Sequence, residues 1–299
     1  FVRTLGMHRV YNSAFMNMLR DEENAKYRSY LKKTIEFDPD ILKRYVNFMS
    51  NPDERTAIDQ FGTGDKCFGV ATLMATLPGL PMFGHGQIEG FTERYGMEFK
   101  QAKMDEWPNE GLIARHQHQI APLLKKRYIF AGSANFVLYD FWTGYGTVNE
   151  NVFAYSNRHD GERSLVLYNN KYDATQGAIH ISAAAMDKGS GQLRQKSLAD
   201  GLGLPFDDVL ILAYRDVASG LEYLARAADI RHHGLNFELY GFQSVVLLNW
   251  REFHSSAEYP WEWLCETLGG AGVPNLDREL TMLRLRPLHQ TLRQAVSLD

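Results

Sequence analysis

Polar side chains follow a short apolar run in the first third of the chain. The run covers residues 45–49, and Asn51, Asp53 and Arg55 come shortly after it. A carboxylate beside an amide and a guanidinium is suited to binding a ligand or to acid–base chemistry. The competing interpretation is that Asn51 and Asp53 only end a turn and cap the next helix, and the local pattern alone favours it.

A second polar loop favours the ligand-binding interpretation over the capping interpretation. His85 and Gln87 follow another apolar run, at residues 80–83, and lie in a glycine-rich segment. Glycine lets the backbone approach a ligand closely. Two polar loops after two apolar runs favour a ligand-binding or catalytic site where the loops meet.

The apolar runs alternate with segments of helical pattern. Strands are predicted at residues 9–15, 45–49 and 80–83, and helices at residues 22–37, 68–77 and 109–126. This alternation is typical of parallel βα units, whose strands carry active-site loops at their carboxyl ends. Three units cannot close a barrel, so the sequence predicts a small open sheet or one end of a larger (β/α)8 barrel. The chain opens on Phe1 rather than on methionine, which favours the larger barrel, with its earlier strands upstream.

The pattern changes to short β-type runs in the second half of the chain. Turns separate these runs, which lie at residues 136–139, 152–155, 164–168, 178–181, 209–212, 237–239 and 244–248. Such spacing predicts an antiparallel β-sandwich. The polar segment 186–203 is predicted to be a long loop, and helices are predicted at residues 260–268 and 276–296.

The expected fold class is therefore α/β plus all-β. The last three βα units of a TIM barrel are expected at residues 1–127 and an antiparallel β-sandwich at residues 128–254. A helical C-terminal extension is expected at residues 255–299.

The composition limits the classes of function. The 299 residues carry a net charge of −4, with 44% hydrophobic and 23% charged residues, as is typical of a globular protein. This balance gives no electrostatic reason to expect nucleic acid or a membrane as partner, and no apolar run approaches the roughly 20 residues that cross a bilayer.

Cys67 and Cys265 lie far apart in the sequence. They are predicted to be free thiols, which favours a reducing compartment such as the cytoplasm without deciding the localisation.

The two polar loops resemble motifs of the α-amylase superfamily, glycoside hydrolase family 13. Residues 45–55, Tyr-Val-Asn-Phe-Met-Ser-Asn-Pro-Asp-Glu-Arg, are similar to the seventh barrel strand of that family, which ends in Asn-His-Asp. Residues 77–87, Leu-Pro-Gly-Leu-Pro-Met-Phe-Gly-His-Gly-Gln, are similar to the eighth-strand segment, in which Gly-(Val/Leu)-Pro precedes two bulky residues and a Gly-(Asp/Gln) pair. Residues 152–158 and 164–170 resemble a strand pair of the family's C-terminal β domain, and the resemblance extends over residues 9–182.

The resemblance implies a retaining enzyme that cleaves or transfers α-glucosidic bonds in glucans of the starch or glycogen type. Such enzymes use an Asp nucleophile after strand four, a Glu general acid after strand five and a second Asp after strand seven, which matches Asp53. The candidate substrate-binding residues are Asn51, Arg55, His85 and Gln87, and for Arg55 a surface ion pair at the start of the next helix is an equal alternative. The other two carboxylates are expected upstream, so this chain alone is expected to be inactive and to need the N-terminal part of the same protein. No cofactor and no metal site is expected.

One position departs from the family pattern. Pro52 stands where the family has a histidine that hydrogen-bonds the sugar at the cleavage site, and proline offers no side-chain donor. His85, on the neighbouring loop, is a candidate to replace it. The same departure favours an alternative function, a non-catalytic carbohydrate-binding or scaffold protein with a degenerate amylase-like barrel.

Overall fold

The N-terminal part of the chain forms three short strands and the helices that connect them. The structure is a computed structural model, and it describes residues 6–94 and 101–296. The elements of this part are β1 (Val10–Tyr11), α1 (Ser13–Arg20), α2 (Asn24–Phe37), β2 (Tyr45–Phe48), α3 (Ala57–Phe61), α4 (Asp65–Thr76), β3 (Leu80–Met82), α5 (Glu110–Arg115), α6 (Ala121–Lys125) and α7 (Arg127–Phe130). A 3-10 segment, Pro39–Arg44, precedes β2, and a π turn, His116–Ile120, joins α5 to α6.

The three strands run parallel in the order β1–β2–β3. Val46 of β2 lies between Tyr11 of β1 and Leu80 of β3. The strands predicted at residues 45–49 and 80–83 are confirmed, with small shifts at their ends. The carboxyl ends of β2 and β3 therefore lie side by side at one edge of the sheet, as parallel pairing requires.

The first strand is shorter than predicted. The sequence pattern predicts a strand over residues 9–15, but the strand ends at Tyr11 and α1 begins at Ser13. Asn12 causes the difference, because its side-chain oxygen accepts a hydrogen bond from the Phe15 amide at 3.3 Å and caps the helix.

Buried amides connect the segments on both sides of β2. The side chain of Asn12 donates to Asn47 Oδ1 at 2.9 Å, and Asn47 Nδ2 donates to the Pro78 carbonyl at 3.3 Å. Asn12 and Asn47 are both buried. An unpaired buried amide is costly, so these bonds fix the relative positions of the three strands.

The second half of the chain forms antiparallel sheets. Its elements are β4 (Val137–Tyr139), β5 (Trp142–Thr143), β6 (Val152–His159), β7 (Glu162–Asn169), β8 (Thr175–Ile179), β9 (Ala185–Asp187), β10 (Gln192–Arg194), α8 (Leu198–Leu202), β11 (Ile211–Asp216), β12 (Glu222–Arg226), α9 (Ala227–His233), β13 (Leu235–Leu239) and β14 (Ser244–Phe253). A six-stranded sheet has the order β12–β11–β14–β7–β6–β4, and a three-stranded sheet has the order β13–β8–β5. The strands β9 and β10 form a separate hairpin.

The six-stranded sheet is the middle layer and is buried on both faces. On one face, Phe153 and Tyr168 belong to the core that also contains the helices of the first half. On the other face, Ala154 and Leu167 belong to a core shared with the three-stranded sheet. Successive side chains of a strand point to opposite faces, so a strand covered on both faces needs a continuous apolar run. This explains the apolar runs of β6 and β7.

The segment 186–203 is not the long loop that the sequence pattern predicts. It contains β10, the end of β9 and the short helix α8. Ser197 caps α8, and Asp200 completes a capping box with it. The Ser-x-x-Asp pattern that predicts a helix start is present in the sequence, but the neighbouring glycines favour a loop prediction.

Two further helices, α10 (Trp261–Leu268) and α11 (Leu276–Val296), confirm the helices predicted near the C-terminal end of the chain. Leu264 of α10 and Leu280 of α11 pack with Ile211 and Leu224 of the six-stranded sheet. These contacts fix both helices to the outer strands.

The thiols behave as predicted. Cys67 and Cys265 are both free. Burial raises the pKa of the Cys67 thiol to about 12, so it is protonated at neutral pH.

Within residues 6–94 and 101–296, none of the helices has the length and apolar character needed to cross a membrane.

A buried arginine joins the two halves. The side chain of Arg28, in α2, has 0% exposure. It donates to the Val152 carbonyl at 2.8 Å and to Glu150 Oε2 at 2.7 Å, and it forms an ion pair with Asp140. The residues that accept from Arg28 all lie in the β half. Together with the buried Asn24, which donates to the Asn170 carbonyl at 2.8 Å, this guanidinium group fixes α2 against the β half.

We expect Arg28→Ala to lower the free energy of unfolding by about 3–5 kcal/mol, because it leaves a buried carbonyl and a carboxylate unpaired. Denaturant unfolding measures the change. Lys26→Ala is the matched control on the same helix, since the Lys26 side chain is 66% exposed. The control should shift the free energy by less than about 0.5 kcal/mol. Equal effects of the two changes would contradict the role given to Arg28.

A second stability prediction concerns His116, which is buried against the Phe68 ring. Burial is the main cause that lowers the pKa of His116 below its ordinary value of 6.5, and the hydrogen bond to the Leu112 carbonyl opposes it. The unfolded state therefore binds the proton more readily, and His116 costs stability as the pH falls below 6.5. His116→Gln should flatten the pH dependence of unfolding between roughly pH 5 and 6.5. The exposed His118→Gln is the control, and an equal effect of both changes would refute the assignment.

Candidate functional site

The loops that follow β2 and β3 lie against each other. Gly84 makes this possible, because a Cβ atom there would lie 2.0 Å from Ser50 Oγ. The two loops enclose a small cleft of about 40 Å³, lined by Ser50, Asn51, Pro52, Glu54, Thr56, His85, Glu93 and Arg94. The structure thus brings Asn51 and His85 together, as the sequence analysis expects.

Asp53 lies at the exposed tip of the first loop. Its backbone amide donates to Asn51 Oδ1 at 2.9 Å, which forms a tight turn. Its carbonyl accepts from Arg94 Nη2 at 2.6 Å, which links the turn to the second loop. Among the described residues, its carboxylate has neither a hydrogen-bond nor an ion-pair partner. The backbone of Asp53 is thus held from both sides, and the carboxylate faces solvent.

The capping interpretation of this segment is correct only in part. Asn51 does end a turn, but the next helix, α3, is capped by Thr56, whose hydroxyl accepts from the Asp59 amide at 3.3 Å. Asp53 therefore has no capping function, and its carboxylate is not used for local structure.

His85 lies at the exposed tip of the second loop. Its ring centroid is 5.9 Å from that of Phe91. Gly86, the next residue, has φ +70°, and a Cβ atom there would lie 2.5 Å from Phe91 Cβ. The turn therefore requires glycine at position 86 for both its backbone angle and its close packing.

Gln87 and Arg55 do not line the cleft, and the expectation that they contact a ligand stays a prediction. Gln87 is only 1% exposed. Its Oε1 accepts from the Gly84 amide at 3.2 Å, and its Nε2 lies 3.3 Å from Met49 Sδ. Gln87 thus supports the second loop from below. Arg55 is exposed, and its carbonyl accepts from Gln60 at 2.8 Å, which anchors the end of the first loop.

Glu93 and Arg94 line the cleft although the sequence analysis did not single them out. They belong to a segment that is held by Glu106, whose carboxylate accepts from the amides of Thr92 at 2.6 Å and Glu93 at 2.9 Å. Partial burial alone would raise the pKa of Glu106, but these hydrogen bonds outweigh it and lower the pKa. No local pattern marks the pair, because its place in the cleft depends on contacts across 41 residues of sequence, from Arg94 to Asp53.

The cleft is lined by side chains that can form hydrogen bonds with a polar ligand. Within the described ranges, no group of three or more His, Cys, Asp or Glu side chains is placed to hold a metal ion. Carboxylates, an imidazole and an arginine line the cleft or border it, and such groups form hydrogen bonds with hydroxyl groups.

Solved structures similar to this chain include α-amylases. The noncanonic maltogenic α-amylase AmyB from Thermotoga neapolitana has a TM-score of 0.50 and 12% identity, and the match covers 85% of this chain and 53% of AmyB. The α-amylase from Anoxybacillus has a TM-score of 0.42 and 11% identity over 68% of this chain and 37% of that protein. The α-amylase from Geobacillus thermoleovorans, solved with acarbose, has a TM-score of 0.42 and 13% identity over 69% of this chain and 39% of that protein.

The likeness to AmyB identifies an α-amylase-type fold, in agreement with the resemblance found in the sequence. This chain spans about half the length of AmyB. No protein-family profile and no curated protein matches the sequence.

The contact between the two loops gives a testable prediction. Gly84→Ala places a methyl group 2.0 Å from Ser50 Oγ, so it should lower the free energy of unfolding by about 1–3 kcal/mol. Ser50→Ala alone should have little effect, because the buried Ser50 Oγ finds no hydrogen-bond partner among the described residues. The double variant should recover much of the loss, since the clashing oxygen is gone. Additive effects in a double-mutant cycle of denaturant unfolding would show that the two loops do not touch.

Proposed function

We propose that this chain is the C-terminal part of an α-amylase-like retaining enzyme that acts on α-glucosidic bonds of starch- or glycogen-type glucans. In this proposal residues 1–127 are the last three βα units of a (β/α)8 barrel, residues 128–254 a β-sandwich domain and residues 255–299 a helical extension. One observation carries the proposal: Asp53 follows the carboxyl end of a parallel strand with its side chain exposed, and its backbone carbonyl accepts from Arg94, which follows the next strand. Active sites of barrel enzymes are built at that end of the strands.

Asp53 is assigned as the carboxylate that contacts the reacting sugar. A carboxylate held by its backbone and unused by the protein is ready to accept hydrogen bonds from two neighbouring sugar hydroxyls. These bonds favour catalysis if they strengthen as the ring approaches its oxocarbenium-like transition state. The nucleophile and the general acid, about 5 Å apart in a retaining enzyme, are assigned to earlier barrel strands. This chain is therefore expected to be inactive without them.

The neighbours of Asp53 receive different roles. Asn51 positions Asp53 through the turn, and Gln87 positions the second loop from below. His85 is the residue proposed to contact the sugar in place of the family histidine, because it is exposed on the loop that faces Pro52. Arg55 is assigned to the support of the first loop through its carbonyl rather than to the ligand.

Pro52 supports a second candidate function, non-catalytic carbohydrate binding by a degenerate amylase-like barrel. It lines the cleft at the position where the family has its sugar-contacting histidine. Loss of that contact weakens transition-state binding more readily than it abolishes ground-state binding. The two functions share the ligand and differ in whether Asp53 affects turnover.

The test is Asp53→Asn in the complete protein, assayed on soluble starch and maltooligosaccharides. We expect kcat to fall by at least about a hundredfold with a smaller change in KM, because the lost hydrogen bonds act mainly in the transition state. His85→Ala should reduce kcat/KM, and an unchanged value would remove His85 from the site. Asp173→Asn, an exposed carboxylate of the β half, is the control. Binding of maltooligosaccharides without any turnover in the unmodified protein would establish the second candidate instead.

A further inference from the structure

The helix α11 has a second apolar face that the described part of the chain leaves exposed. Its first face packs on α10 and the outer strands of the six-stranded sheet and consists of Leu276, Leu280 and Leu283. The second face, the outer stripe, is between 39% and 74% exposed and consists of Met282, Leu285, Leu288, Leu292 and Val296. Each residue of an α-helix is rotated by about 100° from the one before it, so the centre of the outer stripe lies about half a turn from the buried face.

The spacing along the outer stripe is that of a seam between two helices. Together with the half-buried His289, its members fall at positions 282, 285, 289, 292 and 296, alternately three and four residues apart, and Leu288 lies beside this row. Heptad spacing of this kind keeps one side of a helix towards a partner helix. A single exposed leucine is ordinary on a protein surface, but a contiguous apolar patch marks an interaction site. The outer stripe therefore indicates a helical partner.

Charged side chains of opposite sign lie beside the two ends of the outer stripe. Glu279 is in the first turn of α11, and Arg293 lies on the same side of the helix in its last turn. The helix dipole favours this order of charges, but it does not account for the apolar stripe between them. Within residues 6–94 and 101–296, neither side chain forms an ion pair. The two residues lie about 21 Å apart along the helix axis, so they do not pair with each other.

A second copy of α11, packed antiparallel, covers the outer stripe. With the heptad positions of the two helices interleaved, Met282 lies opposite Leu292 of the second copy, and Leu285 lies opposite its His289. Twofold symmetry repeats both contacts, because an isologous interface uses the same surface of both copies. The exposed apolar side chains of each helix are then the partners of those of the other.

The same register pairs the charges. Glu279 lies beside Arg293 of the second copy, and symmetry gives a second such pair at the other end. A parallel copy would instead bring the two Glu279 side chains to the same end and leave both far from Arg293. The two Arg286 side chains meet near the twofold axis, and their repulsion limits the dissociation constant to the order of micromolar.

We propose that α11 is the interface for a second copy of this chain, which packs antiparallel along the outer stripe. The apolar seam supplies the contact, and the Glu279–Arg293 pairs set its orientation. The outer stripe has no residue in common with the Asp53 loops, so the inference does not depend on the proposed function.

Sedimentation velocity of the complete protein at roughly 1–100 µM tests the proposal. The complete protein is used because the edge strand β1 of the isolated chain is itself able to pair with other chains. The unmodified protein should shift from monomer to dimer as its concentration rises. Leu292→Ser should weaken the dimer about tenfold or more, since it removes an apolar contact from two layers. Leu193→Ser is the matched control, because Leu193 of β10 is 52% exposed and Leu292 is 51% exposed, and it should leave the dimer unchanged.

Charge reversal tests the orientation of the two helices. Glu279→Arg and Arg293→Glu should each weaken self-association several-fold, because each change places two like-charge pairs across the interface. A mixture of these two variants should form a mixed dimer, since every arginine at these positions then lies beside a glutamate. A variant with both changes should recover self-association for the same reason, and a parallel pair predicts neither result. Circular dichroism and thermal unfolding of each variant check that α11 is intact.

Several outcomes would overturn the proposal. These are a monomer over the whole concentration range, a dimer that Leu292→Ser leaves intact, and a mixture of the charge variants that associates no better than each alone. A monomer that co-sediments with vesicles of phosphatidylcholine and phosphatidylserine would assign the outer stripe to a lipid surface instead. Asp53→Asn should leave the dimer unchanged. Normal turnover by that variant would remove the proposed role of Asp53 and leave the dimer untouched, so the two proposals fail separately.

Discussion

Buried polar pairing between α2 and the β half, with Arg28 at its centre, constrains how the two halves of the molecule meet. Arg28 leaves α2 and reaches into the β half, where its acceptors include Val152 at the start of β6 and two carboxylates. A guanidinium without exposure is tolerated only if its donors find acceptors in fixed positions. This requirement, together with the hydrogen bonds from the buried Asn24 to Asn151 and Asn170, specifies how α2 meets the β half. The same pairing balances the charge of Asp140 at the outer sheet.

The helix α4 is the apolar counterpart of this polar link. It packs on β3 on one side and on β7 and β14 on the other, and its residues from Cys67 to Thr76 are all buried. Gly69 is needed there, because a Cβ atom at that position would lie 1.9 Å from the Tyr168 ring. A helix that is apolar all round has to be enclosed by other elements. The site loops after β2 and β3 therefore rest on a layer whose position is set by both halves.

The sequence predicted the elements whose apolar runs are unambiguous, and it failed where single polar side chains decide. The strands β2 and β3, the helices α2 and α4 and most of the antiparallel strands follow from periodicity. The hydropathy pattern places Asn12 in a strand, because such a pattern does not show its capping hydrogen bond with the Phe15 amide. In the candidate site, the place of Asn51, Asp53 and His85 after strands predicts loop positions at the sheet edge, and the structure has them there. Gln87 occupies a similar place but is turned inward, and no sequence pattern distinguishes a loop residue that supports from one that is exposed.

The carboxylates of the chain differ in what they are bound to, and the difference bears on Asp53. Asp40 receives hydrogen bonds from Lys188 and Ser133, which lower its pKa, and Glu106 holds the amides of Thr92 and Glu93. Such groups gain native-state stability from their partners, so their ionisation is explained by structure. Asp53 has a backbone fixed by Asn51 and Arg94 but a carboxylate that stabilises nothing in the described fold. In the proposed function, the fixed main chain presents this solvated carboxylate to the ligand in one position, which is how a rigid support lowers the cost of ordering a binding group.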